Sequence, residues 1–229
     1  MKLFDIFTML DFAALWYFLM CWIVFSLITD ISRFKKHSIS YAMNEQRKKW
    51  MNVMANRELR MVDTAIIAGL QQGTAFFASS CLLAIGGCFA LVSAVQDLAG
   101  LFSVDPILKD TLVAGLELKL LGLTAIFAYS FFKFGWAYRL FNYCSIIIGA
   151  TPHRADDTPD EMAIQINKAT EINVLGGKHF NSGLRGIFFG LGYIGWFIGP
   201  WMFVATTTLI LVVMVRRQFF SKASAIVQL

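Results

Sequence analysis

Lys133 is the one cation in an aromatic run, with Phe131, Phe132, Phe134 and Trp136 around it. A charged side chain in such a setting either marks a membrane interface or faces a hydrated cavity that attracts an anion. Arg139, Asn142 and Tyr143 follow at i, i+3 and i+4, a spacing that predicts one shared helix face. His179, Asn181 and Arg185 form a second polar group, and Arg57, Glu58, Arg60 and Asp63 a third. Two kinds of chemistry are open to these residue types. One is anion or lipid-headgroup binding; the other is a structural hydrogen-bond network that fixes helices to one another. Glu58 and Asp63 offer carboxylates to these cations, so a single charge-paired ring closing one mouth of a helical bundle would use all of them.

Catalytic constellations are missing from the same residues. The three histidines, His37, His153 and His179, all lie outside the apolar runs, which argues against a transmembrane haem held by two histidines. The sequence contains no H-E-x-x-H, G-x-S-x-G or phosphate-loop motif. Gly176-Gly177-Lys178-His179 lacks the phosphate-loop spacing and reads as a helix stop. Cys21, Cys81, Cys88 and Cys144 fall in or beside apolar segments without C-x-x-C spacing, so neither a disulfide nor a metal site is expected. The expectation is a non-enzyme with no cofactor.

The elements that must position these groups are membrane spans. Thr64 to Gln96 runs 33 residues without a charge or a histidine, Gly186 to Val215 runs 30, and Phe12 to Thr29 runs 18. About 20 apolar residues suffice for a helix to cross the hydrocarbon core of a bilayer. Hydrophobic residues make up 57% of the chain and charged residues 15%, against about 25% charged in soluble proteins. The net charge of +5 sits in the segments flanking the apolar runs, which points to anionic lipid headgroups and excludes nucleic acid as the partner. The predicted spans are 11–29, 64–95, 112–139 and 180–215, in an all-α, polytopic bundle of four long transmembrane helices. The third is the least apolar, with Glu117 and Lys119 read as snorkelling at its outer boundary. The N-terminal segment lacks a small-residue cleavage site, so the first span is expected to remain in the mature protein.

Between the spans, Tyr41 to Val62 is amphipathic, with Met43, Trp50, Met51 and Met54 interleaved among Arg47, Lys48 and Lys49. Gln96 to Asp110 reads as a short acidic turn. Thr158-Pro159-Asp160-Glu161 reads as the capped start of a further helix that Gly176-Gly177 ends. Small residues crowd the second span, where Gly69 and Gly73 form G-x-x-x-G; Gly186/Gly190 and Gly195/Gly199 repeat the spacing in the fourth. Such spacing lets helices approach closely in lipid, which predicts a bundle interior or a subunit contact. Gly199-Pro200 must kink the fourth span or turn it back. The kinked reading gives four spans; the reversed reading gives five and carries Arg216, Arg217 and Lys222 to the side that the charge rule prefers. Eight Lys or Arg lie between Arg33 and Arg60, and one between Gln96 and Asp110. Positive-inside bias therefore places segments 31–62 and 151–179 in the cytoplasm of a bacterial inner (plasma) membrane, with the N-terminus outside.

Several motifs together resemble a known family. They include Arg47-Lys48-Lys49-Trp50-Met51, Gly73-Thr74-Ala75-Phe76-Phe77-Ala78-Ser79-Ser80, Leu116-Glu117-Leu118-Lys119, Phe131-Phe132-Lys133-Phe134, Gly177-Lys178-His179-Phe180-Asn181 and Pro200-Trp201. In combination they are similar to the bacterial and plant domain of unknown function 599 family, over nearly the whole chain. The resemblance implies a multi-span membrane protein and carries no established activity. Two functions from different classes follow from the residues. One is an oligomeric channel or transporter for small ions with a basic cytoplasmic mouth at Lys133, Arg139 and Arg185. The other is a non-catalytic structural or regulatory subunit, a homo-oligomer or part of a larger membrane complex.

Overall fold

The structure, a computed structural model, describes residues 6–101, 106–152 and 159–228. Seven helices appear among them: α1 (Met9–Asp30), α2 (Ile39–Ala55), α3 (Met61–Leu101), α4 (Pro106–Ala150), α5 (Pro159–Tyr193), α6 (Pro200–Phe219) and α7 (Lys222–Gln228). Short 3-10 turns fill Arg33–His37 and Ile194–Phe197, and no strand occurs among the described residues. The architecture is the all-α bundle expected. Thr158 and the connection at 102–105 lie outside the described residues; helix continues to Leu101 and resumes at Pro106, within the stretch read as a turn.

Local sequence sets the helix boundaries. Thr8 and Asp11 form a reciprocal capping box that starts α1. Ser38 caps α2, its hydroxyl accepting from the Tyr41 N–H at 3.2 Å. Four helices are long and apolar enough to cross a membrane: Met9–Asp30, Met61–Val95, Thr111–Ala150 and Pro200–Val227. At 45 residues α4 is about 67 Å long, twice the hydrocarbon thickness of about 30 Å. It therefore has to project well beyond one side.

Two expectations change. Gly176-Gly177 does not end a helix; α5 runs through them to Tyr193. An added methyl at Gly176 would run into the Phe141 ring, and one at Gly177 into the Arg47 guanidinium. These glycines are close-approach positions that let α4 and α2 pack on α5. The second change concerns 180–215, which is not one kinked helix. The chain reverses at Ile194–Phe197, and α6 returns antiparallel to α5, the split that the Gly199-Pro200 alternative described. The Gly192 carbonyl accepts from Thr206 Oγ1 at 2.6 Å, and Arg217 lies 5.3 Å over the Phe188 ring. Pro200 has no N–H to donate to the Trp196 carbonyl, so a continuous helix would leave that oxygen bare. Lys119 Nζ from α4 donates to it instead, at 2.8 Å. The lysine read as snorkelling is a cap on the reversal.

Five helical stretches thus run between the two ends of the bundle. Against α4, Gly190 of α5 meets Ile126 and Phe127, Gly186 meets Ser130, Gly183 meets Phe134 and Gly176 meets Phe141, an antiparallel register. The N-terminus of α1 and the α5–α6 reversal share one end. The opposite, basic end gathers α2, the end of α4, the start of α5 and the last turn of α6 with Arg216 and Arg217. Toward the first end the core is aromatic: Trp22 stacks on Phe189 with centroids 5.3 Å apart, and Trp196 on Phe203 at 5.2 Å. A smaller cluster of Met51, Met54, Ile67, Cys144, Ile148 and Ala169 holds the basic end.

Candidate functional site

At the basic end the predicted cations separate into independent pairs and do not form one ring. Asp63 is fully buried where α3 begins; its Oδ1 accepts from Arg57 Nη1 at 2.5 Å and from Trp50 Nε1 at 2.7 Å. That carboxylate ties the α2–α3 connection together. Arg60 reaches to the end of α4, where Nη1 donates to the Ile148 carbonyl at 2.9 Å and to that of Thr151, and Nη2 to that of Pro152 at 2.8 Å. A cation on the bare carbonyls of a helix C-terminus also opposes the negative end of the helix dipole. Both arrangements are structural.

Arg185 is paired with a residue that sequence reasoning left at the margin of a span. Its Nη1 and Nη2 donate to Asp30 Oδ1 at 2.9 Å and Oδ2 at 2.5 Å, with further bonds to Thr29 and Ser182. This bidentate fork locks α1 to α5. Arg185 is buried, whereas Asp30 is half-exposed.

The third group divides along its helix. Arg139 Nη2 donates to the Tyr143 hydroxyl at 2.8 Å and lies over the Trp136 and Tyr143 rings, all three exposed on the outside of α4. Asn142 points instead to α3, accepting from Gln71 Nε2 at 2.6 Å. Lys133 sits 5.3 Å over the Tyr129 ring, and His179 meets the edge of Trp136. Among the described residues, the hydrogen bonds of Arg185 go to Thr29, Asp30 and Ser182 and not to Lys133, Arg139, Asn142 or His179.

The polar space lies elsewhere, around Ser40 and Asn181. Asn181 Nδ2 donates to Ser40 Oγ at 3.3 Å and Gln218 Nε2 donates to it at 2.8 Å, joining α5 and α6 to the start of α2. Both residues line three adjoining cavities. One of about 60 Å³ also holds Arg185, Arg217 and Gln218. One of about 210 Å³ holds Asp30, Lys35, Lys48, Glu171 and Lys178. The third, about 300 Å³, lies between α2, α3 and α5 and holds Arg47, Gly69, Gly73, Phe141 and Phe180. Arg47 donates from Nη1 to Asn173 Oδ1 at 2.7 Å. Its Nε is buried without an acceptor among the described residues, and Asn173, fully buried, likewise keeps an unpaired Nδ2. Burial draws the Arg47 guanidinium below its usual range, though it stays charged at neutral pH.

Sequence reasoning missed Ser40, Asn173 and Arg217, and it placed Arg47 only within a motif. The position of Arg47 against Gly177 of α5 is the feature that marks it, and seeing it needs the α2–α5 register. The glycine tracks also divide. Gly186 and Gly190 pack on α4, and Gly195 packs on Thr206 of α6. Gly69, Gly73 and Gly199 have open space where a side chain would be. Among the described residues, no group of three or more His, Cys, Asp or Glu is placed to hold a metal ion.

A family model whose description is "Protein of unknown function, DUF599" matches residues 13–223. Neither the curated proteins nor the solved structures contain a match.

Proposed function

The chain belongs to the DUF599 family, and from that premise we propose that it is a non-catalytic, self-associating membrane subunit. The observation carrying this reading is the exposure of α3. That helix holds more Gly, Ala and Ser than any other helix of the chain and is the least covered of the four apolar spans, with 11% of its most apolar window buried. Gly69, Gln72, Phe76, Ser79, Leu83 and Gly86 recur at alternating steps of three and four residues, and all are exposed. That is the seam of a left-handed helix pair. Gln71 is occupied by Asn142, but Gln72 turns its amide outward, about 14 Å along the helix from Asp63. An amide facing hydrocarbon is costly, and a parallel second copy brings an identical amide to the same depth. Four apolar helices fit an integral membrane protein. We place the basic end in the cytoplasm of a plasma membrane with five crossings, because the α5–α6 reversal brings Arg216 and Arg217 to the side of Arg33 to Arg60.

The channel reading has less support, since Asp30 neutralises Arg185 and Arg139 lies on the outer surface of α4. The deciding experiment replaces the four native cysteines and introduces Ser79→Cys or Gly86→Cys. Oxidation in native membranes should give a dimer band at both positions and none at exposed Phe132→Cys on α4. A single-chain mass in mild detergent with no cross-link would reject self-association. Anion flux in vesicles that Lys133→Ala abolishes would restore the channel.

A further inference from the structure

We infer that the cavity between α2, α3 and α5 binds the headgroup region of one anionic phospholipid taken from the leaflet at the basic end. The cavity measures about 300 Å³, the lower bound of ordinary small-molecule sites. It changes character along its length. Phe141, Phe180 and the bare backbone beside Gly73 make an apolar floor, while Arg47, Ser40 and Asn181 make a polar rim. A phosphate bearing glycerol and acyl carbons matches both halves, whereas a bare anion matches only the rim.

Charge complementarity commits the site to an anion. Three other guanidiniums at this end have strong acceptors: Asp63 for Arg57, Asp30 for Arg185, and the terminal carbonyls of α4 for Arg60. Arg47 has the neutral amide oxygen of Asn173, and its buried Nε has no acceptor among the described residues. Ser40 Oγ already accepts from Asn181 and Gln218, so its own proton is directed to neither of them and is available to an incoming oxygen. A phosphodiester supplies the missing negative charge and acceptors together. The cavity lies at the level of Phe141, about 12 Å beyond Lys133 along α4. Its lining extends back to Phe180, whose ring meets Phe134 next to Lys133, so the cavity takes in the headgroup layer, about 5–8 Å deep, if Lys133 marks the end of the hydrocarbon.

The full chain in mild detergent, with phosphatidylglycerol, phosphatidylethanolamine or inorganic phosphate added, tests this by native mass spectrometry. Phosphatidylglycerol should be retained at one molecule per chain and at least about tenfold over phosphatidylethanolamine. Arg47→Gln should lower that retention about tenfold or more. Arg47→Lys, which keeps the charge without the fork, should be intermediate. Gly73→Leu should fill the floor and expel the lipid. Should Gly73→Leu fail to fold, Arg47→Gln alone decides. Retention unchanged in Arg47→Gln overturns the site, and equal competition by inorganic phosphate overturns the lipid as its occupant. The same spectra report chain mass, so a lipid-bound monomer separates failure of self-association from failure of this site.

Discussion

Where α5 turns into α6, the buried polar groups satisfy one another apart from Thr207 Oγ1; at the basic end several do not. Asp11 is buried and accepts from Thr8 and from Trp196 Nε1 at 2.7 Å, while Lys119 caps the Trp196 carbonyl and lies over the Trp196 ring. Aromatic rings fill the space around them. At the basic end Arg47, Arg60, Asp63, Asn173 and His179 each keep a buried atom unpaired among the described residues, and three cavities meet at Ser40. An unpaired buried polar atom costs on the order of 1–3 kcal/mol, and in native structures such an atom is generally met by an ordered water, an ion or a ligand. The closed end is filled by packed rings, and the basic end leaves polar groups and space that the proposed lipid would occupy.

Substitutions can break or sharpen that contrast. The largest loss is expected at the aromatic end. Phe189→Ala removes a fully buried ring stacked on Trp22 and should cost about 3–5 kcal/mol in reversible unfolding from mixed micelles. A loss below about 1 kcal/mol would show that this end is not the stable one. Asp30→Ala leaves the buried Arg185 without its carboxylate. Because Asp30 is half-exposed, the expected loss is smaller, about 2 kcal/mol. The paired change Asp30→Ala with Arg185→Met should recover part of it, read as a double-mutant cycle. Lys119→Met uncaps the Trp196 carbonyl and should cost about 1 kcal/mol, with faster proteolysis at the reversal as its signature. Arg139→Gln touches only exposed rings and should change stability by less than about 0.5 kcal/mol. A large effect there would place Arg139 in an interface.

The sequence made the spans legible because hydrocarbon excludes charge, so Asp30 and Asp63 mark boundaries without any knowledge of packing. Gly199-Pro200 was legible as a breaker, but its outcome was not. Whether a Pro kinks or reverses a helix depends on what satisfies the freed carbonyl, and here that donor is Lys119, 77 residues upstream of Trp196. The pairing of the cations was hidden for the same reason. Arg185 and Asp30 are 155 residues apart, and their match depends on the rotation of two helices about their own axes. Within α4, i+3 spacing did not keep Asn142 with Arg139, because a neighbouring helix stands nearer to one edge of that face. Arg47 was unreadable as a site because nothing local shows that its usual carboxylate partner is missing.

The cap that Lys119 places on Trp196 also bears on biogenesis. Ribosomes deliver α4 well before Pro200, so the lysine is already in place when the oxygen lacking its own amide partner emerges. Translation order thus supplies the donor ahead of the need. A circular permutant that synthesised 159–228 first would have to insert this hairpin with one carbonyl unsolvated.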